Sequence, residues 1–169
     1  MIRVPLDKAH EQRTLRPLYG WTQATPKHVF LDPEWDRSVD IFPGMVAMKT
    51  EGDNVAPINE VGDPIGFFGM YVAPQYGIDE LINQGVNATA VWVLGPDAEF
   101  EVLDPAFDTE AEWVEPGDGT TVLLYGATSG PNRGKLTPDG AEGARPVARL
   151  IRVSGPGKIV IGGLAVGDA

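Results

Sequence analysis

The stretch Ile41–Ala73, IFPGMVAMKTEGDNVAPINEVGDPIGFFGMYVA, decides how the chain reads. Two apolar runs, Gly44–Met48 and Ile65–Val72, flank a segment rich in Gly, Asp, Asn and Pro. Short apolar runs bounded by turn-forming residues are strand-like, so the spacing predicts a β-hairpin with a long connection. The rest of the chain repeats this rhythm. Asn87–Leu94 (NATAVWVL) predicts a strand apolar on both faces, with Val91 and Val93 on one and Ala90, Trp92 and Leu94 on the other. Such a strand is either sandwiched between layers or lends one face to an interface. Gly95-Pro96-Asp97 is turn chemistry, and the alternation of Ala98–Leu103 after it predicts a second hairpin. Thr121–Tyr125 predicts a further strand. Val147–Val153 and Lys158–Ile161 flank Ser154-Gly155-Pro156-Gly157, the clearest hairpin signal in the chain.

Helical signals are short. Ile78, Leu81 and Ile82 have i, i+3, i+4 spacing within Pro74–Gly85, and Gly85 stands where a helix end favours left-handed geometry. A brief piece is also expected around Lys8–Leu15 and a single turn near Thr109–Trp113. Many short strands without helices of ordinary length between them disfavour a parallel βαβ design. The fold class expected is therefore all-β: an antiparallel barrel or sandwich of 36–169, with one short helix, preceded by an extended N-terminal arm, 1–35.

Proline defines that arm. Pro5, Pro17, Pro26 and Pro33 each remove a backbone donor and push the preceding residue toward extended geometry. Yet Leu15, Leu18, Tyr19, Trp21, Val29, Phe30 and Trp35 make the segment too apolar for a free tail. It should lie either on its own body or on a partner. At the other end, the twenty residues Gly126–Arg145 have few apolar anchors beyond Leu136, a pattern expected of a functional or mobile loop.

Composition narrows the function classes. The 169 residues suffice for one core without metals or disulfides, and there is no cysteine, which removes thiol chemistry and Cys-type zinc sites. Residues 1–30 carry a charge of +3 while the net charge of the chain is −11, and no Lys or Arg falls between Glu51 and Asn132. A body so acidic repels a phosphate backbone, so no nucleic-acid partner is expected. No apolar run approaches about 20 residues and the first residues lack an apolar h-region, so neither a membrane span nor a secretory leader is expected.

Catalytic arrangements are hard to assemble from these residues. His10 and His28 lie 18 positions apart in the arm, and Ser38, Ser129 and Ser154 sit beside turns without a histidine base in the body. Asp97, Glu99 and Glu101 alternate, which places like acids on one face of a strand, an arrangement typical of a wet surface rather than of a raised-pKa general acid. Gly134-Lys135 is followed by Leu136, not Ser or Thr, so it is no phosphate loop, and Asp32, Glu34 and Asp36 lack the glycine and distal glutamate of a calcium-binding hand. No enzyme, cofactor or metal site is expected.

The Pro-rich arm, FPGMVAM, DPIGFF, VWVLG and the closing RPVARLIRVSGPGKIVIGGL together resemble the small β-rich virion proteins of tailed bacteriophages, above all capsid decoration or cement proteins. The resemblance implies a β-barrel or β-tulip body on the capsid exterior, with an arm lying along the major capsid protein. It implies a stabilising, non-enzymatic role, and it allows a homotrimer as well as a monomer. On this reading the arm residues Arg3, Arg13, Arg16, Leu18, Tyr19, Trp21 and Phe30 form the protein interface, since arginine and aromatic side chains anchor such contacts. The alternative is a carbohydrate- or receptor-binding virion module using Trp92, Trp113 or the Gly126–Arg145 loop.

Overall fold

The computed structural model of the protein describes residues 13–20, 24–35, 40–60, 62–72 and 88–165. Among them are eleven strands and no α-helix: β1 (Leu15–Tyr19), β2 (Ala24–Leu31), β3 (Val46–Lys49), β4 (Asn54–Pro57), β5 (Pro64–Phe68), β6 (Ala88–Leu94), β7 (Glu99–Leu103), β8 (Leu123–Gly126), β9 (Leu136–Thr137), β10 (Ala148–Gly155) and β11 (Lys158–Gly162). They build a closed barrel, ordered β2-β4-β3-β5-β6, and a six-stranded sheet, ordered β1-β7-β11-β10-β8-β9. The all-β expectation holds, barrel included. Strand pairing is antiparallel except between β2 and β4, whose parallel register of Phe30 with Asn54 and Leu31 with Val55 closes the barrel. No helix among the described residues is long and apolar enough to cross a membrane.

In the deciding stretch β3 pairs with β5, Val46 opposite Phe67. The long connection is more than a loop. Asn54–Pro57 pairs along the other edge of β3, with Ala47 opposite Pro57 and Lys49 opposite Val55. Four residues beginning with Asn and ending with Pro carry no strand signal of their own; β3 beside them supplies it, burying Val55, Ala56 and Pro57. At the chain's end β10 and β11 form the expected hairpin, turning at Pro156-Gly157, where Gly157 takes the positive φ of 68° that a Pro-Gly turn requires.

The second expected hairpin does not form. β6 pairs with β2 across the barrel wall, from Ala24 opposite Leu94 to Phe30 opposite Ala88, whereas β7 lies between β1 and β11 in the sheet. The turn at Gly95-Pro96-Asp97, held by the Ala98 amide donating to the Gly95 carbonyl (3.1 Å), carries the chain from one layer to the other. Packing is the reason. β6 is apolar on both faces, and its two faces go to two places: Val91 is completely buried within the barrel, and Trp92 meets Phe100 of the sheet at 5.9 Å between ring centroids.

Barrel and sheet share one cluster of buried side chains, including Phe67 and Phe68 from the barrel and Phe100, Leu124 and Ile161 from the sheet. Burial of each large side chain contributes about 1.5–3 kcal/mol. The layers approach closely at Gly126, where a Cβ would collide with Ile58 and Val46.

Two loop expectations change. Gly126–Arg145 is pinned: Leu136 is fully buried in β9, the Val46 amide donates to the Gly134 carbonyl (2.7 Å), and Arg133 donates to the carbonyls of Ile58 (3.1 Å) and Pro57 (3.0 Å). Thr109–Trp113 is irregular rather than a helical turn, because the Asp108 carboxylate captures the Glu110 amide at 2.9 Å. The helix expected at Pro74–Gly85 lies outside the described residues, and of the piece at Lys8–Leu15 only the end is described, where Leu15 opens β1.

Candidate docking face

Among the described residues β1 is the outermost strand of the sheet and pairs on one side only, with β7. The Leu103 amide donates to the Thr14 carbonyl (2.8 Å), and the register continues with Arg16 opposite Glu101 and Pro17 opposite Phe100. Backbone groups of an antiparallel strand alternate in direction, so Thr14 and Arg16 turn theirs toward β7 while Leu15 and Pro17 turn theirs outward. Proline at an outward position has no donor to leave unmet. It also blunts the edge against pairing with another strand. The Thr14 hydroxyl, fully buried, donates to the Pro43 carbonyl and ties the strand's start to the barrel side.

This edge offers its side chains. Leu18 is 44% exposed and Tyr19 71%, and Arg13 and Arg16 are exposed beside them. Of the expected interface residues, the structure therefore brings Arg13, Arg16, Leu18 and Tyr19 onto one strand and its approach. Phe30, 46% exposed, belongs instead to β2 in the barrel wall. Arg3 and Trp21 lie outside the described residues. Met70 and Val114 are exposed apolar residues that the sequence reading passed over; neither carries a signal in its neighbours that marks it.

The outer face of the sheet is a charge lattice. Glu101 stands 3.7 Å from Arg16 and Glu99 3.8 Å from Arg152, so the expected row of acids is interleaved with cations from β1 and β10. Asp97 is in the turn rather than on the strand. The acidic segment after β7 serves as a strap: the Val153 amide donates to Glu115 (2.7 Å), and the Trp113 indole N–H donates to the Asp108 carbonyl (2.6 Å) while its ring meets Phe107 edge-on at 5.3 Å. Trp92 and Trp113 are thus both engaged by their own chain. His28 is exposed on β2, His10 lies outside the described residues, and among the described residues no three His, Asp or Glu converge as a metal site. An open groove of about 440 Å³ between the 58–63 and 126–145 segments carries Glu60, Asp63, Glu142 and Arg145, the last 3.5 Å from Asp63 at a highly exposed pair.

No curated protein and no solved structure matches the chain. The sequence profile of one family does, over residues 1–166 of the 169. The chain, whose described residues form a barrel and a sheet edged by a strand that presents arginine and aromatic side chains, belongs to the phage cement protein family and is a structural component of a phage capsid.

Proposed function

We propose that the protein decorates the outer surface of the capsid and stabilises it by binding the major capsid protein through its leading residues. The contacts are Arg3, Arg13, Arg16, Leu18, Tyr19, Trp21 and Phe30. The observation that carries this reading is the edge strand β1, where a large aromatic and an aliphatic side chain stand exposed beside two arginines in an otherwise acidic chain. Such a combination resembles an interface anchor more than a solvated surface. Many copies on a symmetric lattice then hold by avidity, and no deep pocket is required.

The test is attachment to shells freed of the protein. Removing residues 1–30 would also remove β1 and most of β2, and with them a wall of the barrel. The informative truncation is residues 1–12, compared with the intact chain carrying Leu18→Ser and Tyr19→Ser. Both are expected to weaken attachment while the free protein unfolds at an unchanged urea midpoint. Full attachment by both variants overturns the role of the leading segment. Binding of glycans or host surfaces instead of shells supports the receptor-binding alternative. With Trp92 against Phe100 and Trp113 against Phe107, however, neither ring is a free sugar platform.

A further inference from the structure

The barrel strands β2 to β6 contain two cations and no carboxylate, and the fold brings both cations to one mouth. Lys27 on β2 stands opposite Val91, and Lys49 on β3 stands opposite Val55. Directly opposed residues share a sheet face, and here it is the inner one, where Val91 and Val55 are 0% and 1% exposed. Together with Val29 and Ile65 these residues line a cavity of about 200 Å³, to which all five barrel strands contribute. Asp53 is the one carboxylate among the described residues of its lining, so those residues make the rim net positive on a chain of net charge −11. Neither lysine forms an ion pair among the described residues. On the same inner face Thr89, opposite Val29, is buried with its hydroxyl lacking a hydrogen-bond partner among the described residues.

The opening is held by sequence. Phe30 and Asp32 donate their amides to the carbonyls of Asp53 (3.5 Å) and Val55 (2.9 Å), which fixes the even-numbered residues of β2 as those facing the β4 side. Pro26 occupies an even position and has no amide to donate. Pairing between β2 and β4 is confined to Phe30 and Leu31, and toward Pro26 the seam cannot be continued as a regular ladder.

We infer that this mouth is a socket for one apolar side chain of the capsid partner, with a neighbouring carboxylate of that partner held between Lys27 and Lys49. A cavity of about 150 Å³ accepts a benzene ring, so the volume here suits a single side chain rather than a length of peptide. The rim selects for negative charge by complementarity, and the aliphatic floor supplies the contact area. This inference rests on the capsid-binding reading and adds a second contact, separate from β1.

Two measurements test it. Methyl-resolved NMR of the full chain with added 4-methylpentanoate, a leucine side chain joined to a carboxylate, is expected to show saturable shifts confined to Val29, Val55, Ile65 and Val91. The exposed pair Lys27→Glu with Lys49→Glu is expected to abolish those shifts and to weaken attachment to stripped shells by about tenfold or more. Ile65→Trp, which fills the socket, is expected to do the same with the rim charges intact. Absence of shifts in the unaltered protein overturns the socket. Shifts that vanish in the charge-reversed variant while shell attachment stays unchanged mean a small-molecule site, and overturn the assignment to a capsid side chain. Because Tyr19→Ala leaves the socket intact, loss of attachment in that variant alone reports on β1, and loss in the lysine variant alone reports on the barrel mouth.

Discussion

Replacing Tyr19 by alanine tests whether the edge of the sheet is where the shell is gripped. An aromatic side chain presents about 150–250 Å², so with Tyr19 71% exposed about 140 Å² of it is open to water. Covering that area at roughly 25 cal/mol per Å² is worth about 3.5 kcal/mol. Ordering the side chain and desolvating its hydroxyl offset part of this, leaving about 2 kcal/mol, close to the threshold for an interface anchor. The affinity of a single copy for the shell should therefore fall about 30-fold. Stability of the free protein should shift by no more than about 0.5 kcal/mol, because an exposed side chain outside the core is being shortened. The assay pellets shells with increasing concentrations of labelled protein and is paired with urea unfolding of the unattached chain. Val114→Ala is the control, since Val114 is 58% exposed but sits on the acidic strap. An affinity within threefold of the unaltered protein, or an equal loss in the Val114 variant, refutes the assignment of β1.

Other substitutions test the fold beneath that face. Phe100→Ala removes a ring that is 2% exposed and meets Trp92 across the two layers, and should cost about 3–5 kcal/mol in urea unfolding with one transition retained; separate transitions for barrel and sheet would contradict a shared core. Gly163→Ala places a methyl against the backbone of Leu94 and Gly95 and should cost about 1–3 kcal/mol, measured by thermal unfolding. Arg133→Ala leaves the carbonyls of Pro57 and Ile58 without their guanidinium donor and should cost about 1.5–3 kcal/mol, with faster amide exchange at Gly134. Arg152→Ala should change stability by less than about 1 kcal/mol, because its contact with Glu99 is 3.8 Å long and half in solvent.

What was legible in the sequence is what is decided locally. The β10–β11 hairpin was readable because Gly155-Pro156-Gly157 sets its own turn and the flanking residues alternate. β6 was readable because Val91 and Trp92 both have to be buried, whichever layer receives them. Its partner was not readable, since Gly95-Pro96-Asp97 reverses the chain equally well within a sheet or between two layers. The packing of Trp92 on Phe100, a long-range event, makes the choice. β4 was hidden for the complementary reason: its Asn and Pro weaken the strand signal, and its pairing comes from β3. Likewise the Gly126–Arg145 segment looks unanchored until Arg133 is seen reaching back some 75 positions in sequence to Ile58.

The candidate site shows the same division, and proline shows why. Pro17 and Pro26 argue soundly against a helix over residues 15–31. They do not argue against a strand, because proline disrupts a ladder only where its missing amide would have pointed at a neighbour. Position 17 faces away from β7, and position 26 faces the β4 side of β2 but lies beyond the stretch, Phe30 and Leu31, that pairs with β4. Both prolines thus sit where a strand tolerates them, and both leave an edge that no further strand can extend in full. Residue types named Tyr19 and Leu18 as anchors; only the pairing of β1 with β7 explains why they stay uncovered. An edge that Pro17 leaves short of an outward backbone donor is a poor template for a further strand and is better suited to binding through its side chains, which is why the side-chain substitutions above, rather than strand-matching peptides, are the perturbations to which attachment should respond.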